Sequence, residues 1–321
     1  MKAVRIASAL LILLVFIFIS GASAHDSGEF TKTFPAKSSI KFKGVSADCY
    51  IIKGDNDKIS VTVEYSYSPS GAFEPILEEK GDKLILQELL QGSCNGSSKW
   101  TIAVPDKTRI TFATASGSCK VENAEIELSC HTASGDIIIE NSKGIYNVET
   151  ASGDIELGEF SGEITGSTAS GDIEGRKISG DIELSTASGR VDVRDIKGIM
   201  SLESASGNVD VTGVIVEDRS YFGTASGNVY VVLSATAEHD IDVASASGDA
   251  VLNYGGNAIK GSFEFITQLD HGDISAPIKF DKVEEYRRHG EDYVRKTFEK
   301  EGSSPIISIT SATGEAALED R

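Results

Sequence analysis

Between residues 114 and 260 the chain alternates inward and outward side chains on a fixed beat. Apolar residues fall two positions after each of a series of glycines, at Cys119, Ile137, Ile155, Ile173, Val191, Val209 and Val229, and again two further on at Val121, Ile139, Leu157, Val193, Val211 and Val231. Polar residues separate the two columns, so each segment repeats with period two and predicts a short strand. A second, less regular pair of columns runs through Leu128, Tyr146, Ile164, Ile182 and Met200, then Cys130, Val148, Leu184 and Leu202. The tetrapeptide T-A-S-G begins at Thr114, Thr132, Thr150, Thr168, Thr186 and Thr224, with S-A-S-G at Ser204 and Ser245; its first steps are 18 residues and later ones 20 and 21. A fixed period sustained over this length predicts a solenoid. Two strands and two turns per unit predict an all-β flattened coil with parallel sheets. A three-sided coil of hexapeptides would need an apolar column every six residues, where this chain has Glu125, Lys143, Ser161, Ser179 and Lys197.

One such coil buries too little apolar surface to offset the entropy of ordering it, so the coils must stack. The flanks read as caps. Residues 25–113 predict irregular β coils, residues 114–260 the regular repeats, and residues 261–321 further β coils, together one continuous domain from 25 to 321. The charged stretch 283–302 reads as a hairpin turning at His289-Gly290, although Val283, Tyr286, Tyr293, Val294 and Phe298 also suit a helix. The S-A-T-G-E segment from Ser311 echoes the repeat.

Composition adds three things. Lys2 and Arg5 precede an apolar run from Ala7 to Ile19 and then Ala22-Ser23-Ala24, the pattern of a secretory signal peptide over residues 1–24. The run is too short to favour a membrane span, which predicts a mature protein exported to the periplasm, cell surface or medium with no span left after cleavage. The formal charge of −19 disfavours nucleic acid as a partner and leaves an envelope glycan, a cationic peptide or another envelope protein. Four cysteines in an exported chain favour disulfides. Cys119 and Cys130 occupy inward columns placed symmetrically about one turn, so a Cys119–Cys130 bridge is expected, which leaves Cys49 with Cys94. The alternative pairs Cys49 with Cys119.

The repeated residues hold the candidate chemistry. The serines at 116, 134, 152, 170, 188, 206, 226 and 247 have no histidine column to activate them, so they read as turn hydroxyls bonding the backbone, with the repeat glycine supplying a positive φ. Asp136, Asp154 and Asp172 follow the repeat glycine in consecutive coils, beside outward Glu156, Glu174, Asp192 and Asp210. Stacked carboxylates need something to offset their repulsion. Calcium at Asp136, Asp154 and Asp172 is one candidate, but the calcium-binding nonapeptide pattern with its paired glycines is missing, and Arg190 interrupts the column. A solvated acidic face, or a docking face for a basic partner over Asp154, Glu156, Asp172, Glu174, Asp192 and Asp210, are the other readings. His239 and His271 sit among acids without a third matching ligand, so no metal site and no cofactor is assigned. No catalytic residue is assigned either.

With a leader, the V-P-D-K-T segment at Val104–Thr108 and the T-A-S-G-D-I series, residues 30–321 resemble the bacterial putative-adhesin family of β-strand-repeat proteins. The resemblance implies a right-handed parallel β-solenoid of about 18 residues per coil, an envelope location and, in some members, a link to envelope-stress systems. It brings no established activity, and the four cysteines are not part of the family's repeat. The expected function is a non-enzymatic binding or adhesion-like module presenting extended β faces to a polymer or protein. An envelope scaffold and a carbohydrate-active β-helix enzyme are the alternatives. For the enzyme, only the longer units near Asp218–Tyr221 and Ala235–Asp240 offer loop length.

Overall fold

The computed structural model describes residues 25–321; the expected signal peptide lies outside the described residues. Those residues form strands and turns without a helix, and every strand joins one continuous hydrogen-bonded sheet. In the middle of the chain, Ile155–Thr168, Ile173–Thr186 and Val191–Ser204 lie parallel and in register. Ile155 pairs with Ile173 and Ile173 with Val191, while Ile164 pairs with Ile182 and Ile182 with Met200. Each pairing is offset by one repeat, so equivalent residues form ladders along the stack. The inward ladders are the columns the alternation predicts: Ile137, Ile155, Ile173, Val191, Val209 and Val229 are all fully buried.

Two corners return the chain within each unit. One carries a left-handed residue in every layer, at Asn123, Asn141, Glu159, Lys177 and Asp195, with φ between 48° and 58°. Asparagine adopts this conformation readily; glutamate and lysine do so at a cost that the stack must impose. The other corner is the T-A-S-G turn. Its glycine is not in the left-handed region, contrary to expectation. It is glycine because the layers touch there: a Cβ on Gly171 would lie 2.6 Å from the carbonyl carbon of Gly153 and closer still to its oxygen. Positive φ belongs instead to the half-period glycines at 144, 162, 180 and 198.

The hydroxyl ladder also differs from expectation, because threonine makes it. Thr168 Oγ1 donates to the Gly153 carbonyl of the preceding layer at 2.9 Å and accepts from its own Gly171 N–H at 3.0 Å. Thr132, Thr150, Thr186 and Ser204 repeat both bonds. The serines two residues later, from Ser134 to Ser247, are exposed. Parity explains the choice: Tyr146, Val148 and Thr150 alternate inward, so the threonine continues the buried face and its hydroxyl must find a partner there.

The same corner geometry reappears at both ends. Ser311 Oγ donates to Gly248 O and accepts from Gly314 N–H, so the terminal S-A-T-G is the next layer of the stack, reached after a long excursion. The strand Glu315–Glu319 accordingly pairs in parallel with Ala250–Asn253. At the other end Ala47–Lys53 lies parallel beneath Cys119–Glu122, and Ser39–Lys43 beneath Arg109–Thr114. The chain between these layers is not a further regular coil. Asp26–Pro35, Lys58–Ser68 and Asn95–Val104 pair antiparallel, as do Phe73–Lys80 and Lys83–Leu90.

Aromatic residues cluster at both ends of a core whose middle layers are mostly aliphatic, with Tyr146, Phe160 and Phe222 buried among them. Phe42 packs on Trp100 and Phe112 at one end, and Phe263 on Phe298 at the other, with ring centroids 4.6–5.0 Å apart. A buried carboxylate fixes the first cap. Glu88 accepts from the Val45 and Ser46 N–H groups, the Tyr67 hydroxyl and the Ser98 hydroxyl at 2.6–2.8 Å. In the second cap, Lys282–Arg288 and Glu291–Lys300 form an antiparallel hairpin turning at His289 and Gly290, whose φ values are 54° and 92°. Positive φ at both turn residues suits the two-residue connection that matches strand twist, and this excludes the helical alternative.

Candidate functional site

The acidic residues singled out in the sequence divide into two groups. Asp136, Asp154 and Asp172 stand at the T-A-S-G corner, where each side chain caps the next layer. Asp154 N–H donates to Asp136 Oδ1 at 3.0 Å, Asp172 N–H to Asp154 Oδ1 at 2.8 Å, and Arg190 N–H to Asp172 Oδ1 at 2.8 Å. Asn208, Asn228 and Asp249 do the same further along. The column breaks at Asn without loss because either side chain supplies the required carbonyl-type oxygen. These carboxylates are therefore employed as backbone acceptors. Among the described residues, no group of three His, Cys, Asp or Glu is placed to hold a metal ion. His239 and His271 are exposed turn residues.

Glu156, Glu174, Asp192 and Asp210 form a separate outward ladder, in register across four layers. Arginines interleave with it. Arg190 lies 3.4 Å from both Asp172 and Glu174, Arg194 3.3 Å from Asp192, and Arg176 3.4 Å from Glu140. The first three acids and these arginines line a cleft of about 460 Å³. Burial, with a smaller contribution from neighbouring Asp192, pushes the Asp210 carboxyl up. Exposed ion pairs of this kind each contribute about 1 kcal/mol or less, so they neutralise the face more than they hold it.

A larger groove of about 910 Å³ lies along the other side of the corner. Its floor is made of small residues repeated layer by layer: Ala151, Ala169, Ala187, Ala205 and Ala225, with Ser167 and Ser185 beside them. His131 and Glu149 stand at one end, 3.1 Å apart, and Glu203 and Tyr221 towards the other. From His131 to Ala246 the groove crosses seven layers, about 29 Å at roughly 4.8 Å per layer. The Tyr221 ring is 37% exposed, one of few large apolar side chains left open to solvent. Burial, then the carboxylates of Glu203 and Asp242, push its hydroxyl pKa up, so it stays a neutral donor. Sequence reasoning missed this groove, although its floor is built from the exposed Ala of successive T-A-S-G turns and the residue that precedes each Thr.

All four cysteines are thiols in this structure. Cys49 lies in register with Cys119 on neighbouring parallel strands, and the Cys119 thiol contacts those of both Cys49 and Cys130. All three are fully buried. Burial pushes the Cys49 and Cys130 thiols up, while hydrogen bonds from Cys130 and then Cys49 pull Cys119 down. The expected Cys49–Cys94 pair does not meet. Cys49 sits opposite Trp100, six residues along an extended strand from Cys94, roughly 20 Å away and beyond disulfide reach. The excursion between the two residues moves Cys94 out of the stack, which spacing alone does not reveal.

Two solved structures align over nearly their whole length. A putative cell adhesion protein from Clostridium sporogenes shares 11% identity over 92% of this chain and 99% of its own, with a TM-score of 0.27. A putative adhesin from Bacteroides fragilis shares 14% identity over 91% of this chain and 96% of its own, with a TM-score of 0.29. No curated protein matches. Residues 101–195, which run from the last cap strand through five layers of the stack, are similar to the family described as Toastrack DUF4097.

Proposed function

We propose that this protein is a non-enzymatic binding module that holds an extended, neutral polymer along its Ala-Ser groove, with an envelope or extracellular glycan as the ligand class. We read the stack as a right-handed solenoid of about 18 residues per coil, on a protein exported to the envelope or beyond it. The observation that carries the reading is the groove's length and repetition: six successive layers, from Ala151 to Ala246, offer the same small floor at regular steps. A linear glycan presents hydroxyls and an apolar ring face at a similar regular interval. Ser167, Ser185, Glu149 and Glu203 supply hydrogen-bonding groups, and Tyr221 a ring with an apolar face and a polar tip.

A cationic peptide on the acidic face is less well supported, because Arg176, Arg190 and Arg194 already neutralise that cleft. The two readings separate by salt. Purified residues 25–321 are to be incubated with washed bacterial envelope fragments and sedimented across a salt series. Retention that survives high salt is the expected result. Retention that disappears with salt moves the site to the acidic cleft, and none at any salt overturns the binding reading.

A further inference from the structure

The C-terminal hairpin ends the sheet on an open edge. Among the described residues, Lys282–Arg288 pairs on one side only, with Glu291–Lys300. Its sequence is Lys-Val-Glu-Glu-Tyr-Arg-Arg, and Val283 is 58% exposed. Open edges are commonly blunted by charges that repel a second strand. The charges here are ordered differently: two acids, a tyrosine and two bases read as their own complement when the strand is reversed.

Backbone direction fixes which pairings are available. In a two-residue hairpin the residues flanking the turn, Arg288 and Glu291, are a hydrogen-bonded pair, and such pairs alternate along the strands. The N–H and C=O groups of Arg288, Tyr286, Glu284 and Lys282 therefore point at the partner strand, and those of Val283, Glu285 and Arg287 point outwards. Two copies of this edge can pair antiparallel only with outward residues opposite outward residues. Four registers meet that condition with centres from Glu284 to Arg287. Centring on Glu284 places Glu284 against itself and Glu285 against Val283. Centring on Glu285 places Glu285 against itself and Lys282 against Arg288. Centring on Arg287 places Arg287 against itself. Centring on Tyr286 places Glu285 opposite Arg287 and Glu284 opposite Arg288, twice each by symmetry, with the two Tyr286 rings adjacent.

We propose that this edge is a self-association surface, on which a second copy of the chain pairs antiparallel about a two-fold axis at Tyr286. Glu285 and Arg287 of each copy exchange main-chain hydrogen bonds with Arg287 and Glu285 of the other. The interface is isologous, so it closes at two copies and does not propagate a fibre. It is small, below the roughly 1,200 Å² of stable complexes, so the dimer forms at high protein concentration. This inference is independent of the groove, which lies on the repeat stack.

Sedimentation velocity of residues 25–321 over a concentration series at low salt tests it, with Glu285→Arg and Arg287→Glu as single variants and circular dichroism as the check on folding. Wild type should pass from monomer to dimer. Each variant alone places like charges opposite one another twice, and should weaken the dimer by at least about tenfold. An equimolar mixture of the two variants restores opposite charges at every pair and should recover a dimer. A Tyr286→Cys variant should also form a 286–286 crosslink under mild oxidation, mapped by peptide mass, which Val283→Cys should not. A wild type that stays monomeric throughout overturns the proposal, as does a dimer indifferent to both reversals or a mixture that fails to associate.

Discussion

Replacing Gly171 by alanine tests the layer contact on which the stack depends. The added Cβ would lie 2.6 Å from the carbonyl carbon of Gly153, where comfortable carbon contacts begin near 3.5 Å. Relief requires the two layers to part by about 1 Å. Three hydrogen bonds cross that gap: Ile155 N–H to Asp172 O at 3.0 Å, Thr168 Oγ1 to Gly153 O at 2.9 Å, and Asp172 N–H to Asp154 Oδ1 at 2.8 Å. Stretched by that amount they are no longer hydrogen bonds. At about 1–1.5 kcal/mol each, the substitution should cost roughly 3–5 kcal/mol. Gly158→Ala is the control. Gly158 lies in the strand Ile155–Thr168 that leads into the Gly171 turn, and its Cβ would first meet the flexible Arg176 guanidinium at 3.4 Å. It should stay within about 1 kcal/mol of wild type and gain a little from a stiffer unfolded chain. Equilibrium urea denaturation followed by far-UV circular dichroism measures both. A Gly171→Ala protein within about 1 kcal/mol of wild type, or a Gly158→Ala protein equally damaged, would refute the argument from close stacking.

Three further outcomes follow from the buried polar groups. Glu88→Leu removes the acceptor of four donors and should cost about 4 kcal/mol or more, with Glu88→Gln losing less because one oxygen remains for Val45 and Ser46; denaturation midpoints in the reverse order would contradict this. Oxidative refolding with oxidised glutathione should link Cys119 to Cys130 across one coil and leave Cys94 unlinked to Cys49, which peptide mass mapping reads directly. Burial raises the hydroxyls of Tyr67, Tyr146 and Tyr254, so the fold favours their protonated forms. Their contribution to stability is intact below about pH 10, the value in the unfolded chain, and is lost as pH climbs beyond it. A phenolate titration in which these three ionise with the exposed tyrosines would count against that.

The inward columns were legible because period two and the repeat reinforce one another: Ile137, Ile155 and Ile173 needed no tertiary information. The corner was legible in place and misread in mechanism. Thr and Ser share one tetrapeptide, and only the continued alternation through Tyr146 and Val148 assigns Thr150 to the buried face. The Asp column was visible as a repeat, but its use as a backbone cap depends on the layer spacing, which composition does not carry. Cys94 was misplaced because the antiparallel excursion in the first cap has no repeat to fix its position. The groove and the open edge arise from what neighbouring layers leave uncovered, a property of the assembled stack.

The central functional claim is that the Ala-Ser groove, and not the acidic cleft, holds the ligand. Ala187→Arg fills the middle of the groove at an exposed turn position, and Glu174→Arg reverses a charge in the cleft. Retention of both variants on washed envelope fragments should be compared with wild type at fixed high salt. Loss of retention with Ala187→Arg and wild-type retention with Glu174→Arg is the predicted result; full retention with Ala187→Arg would contradict the account.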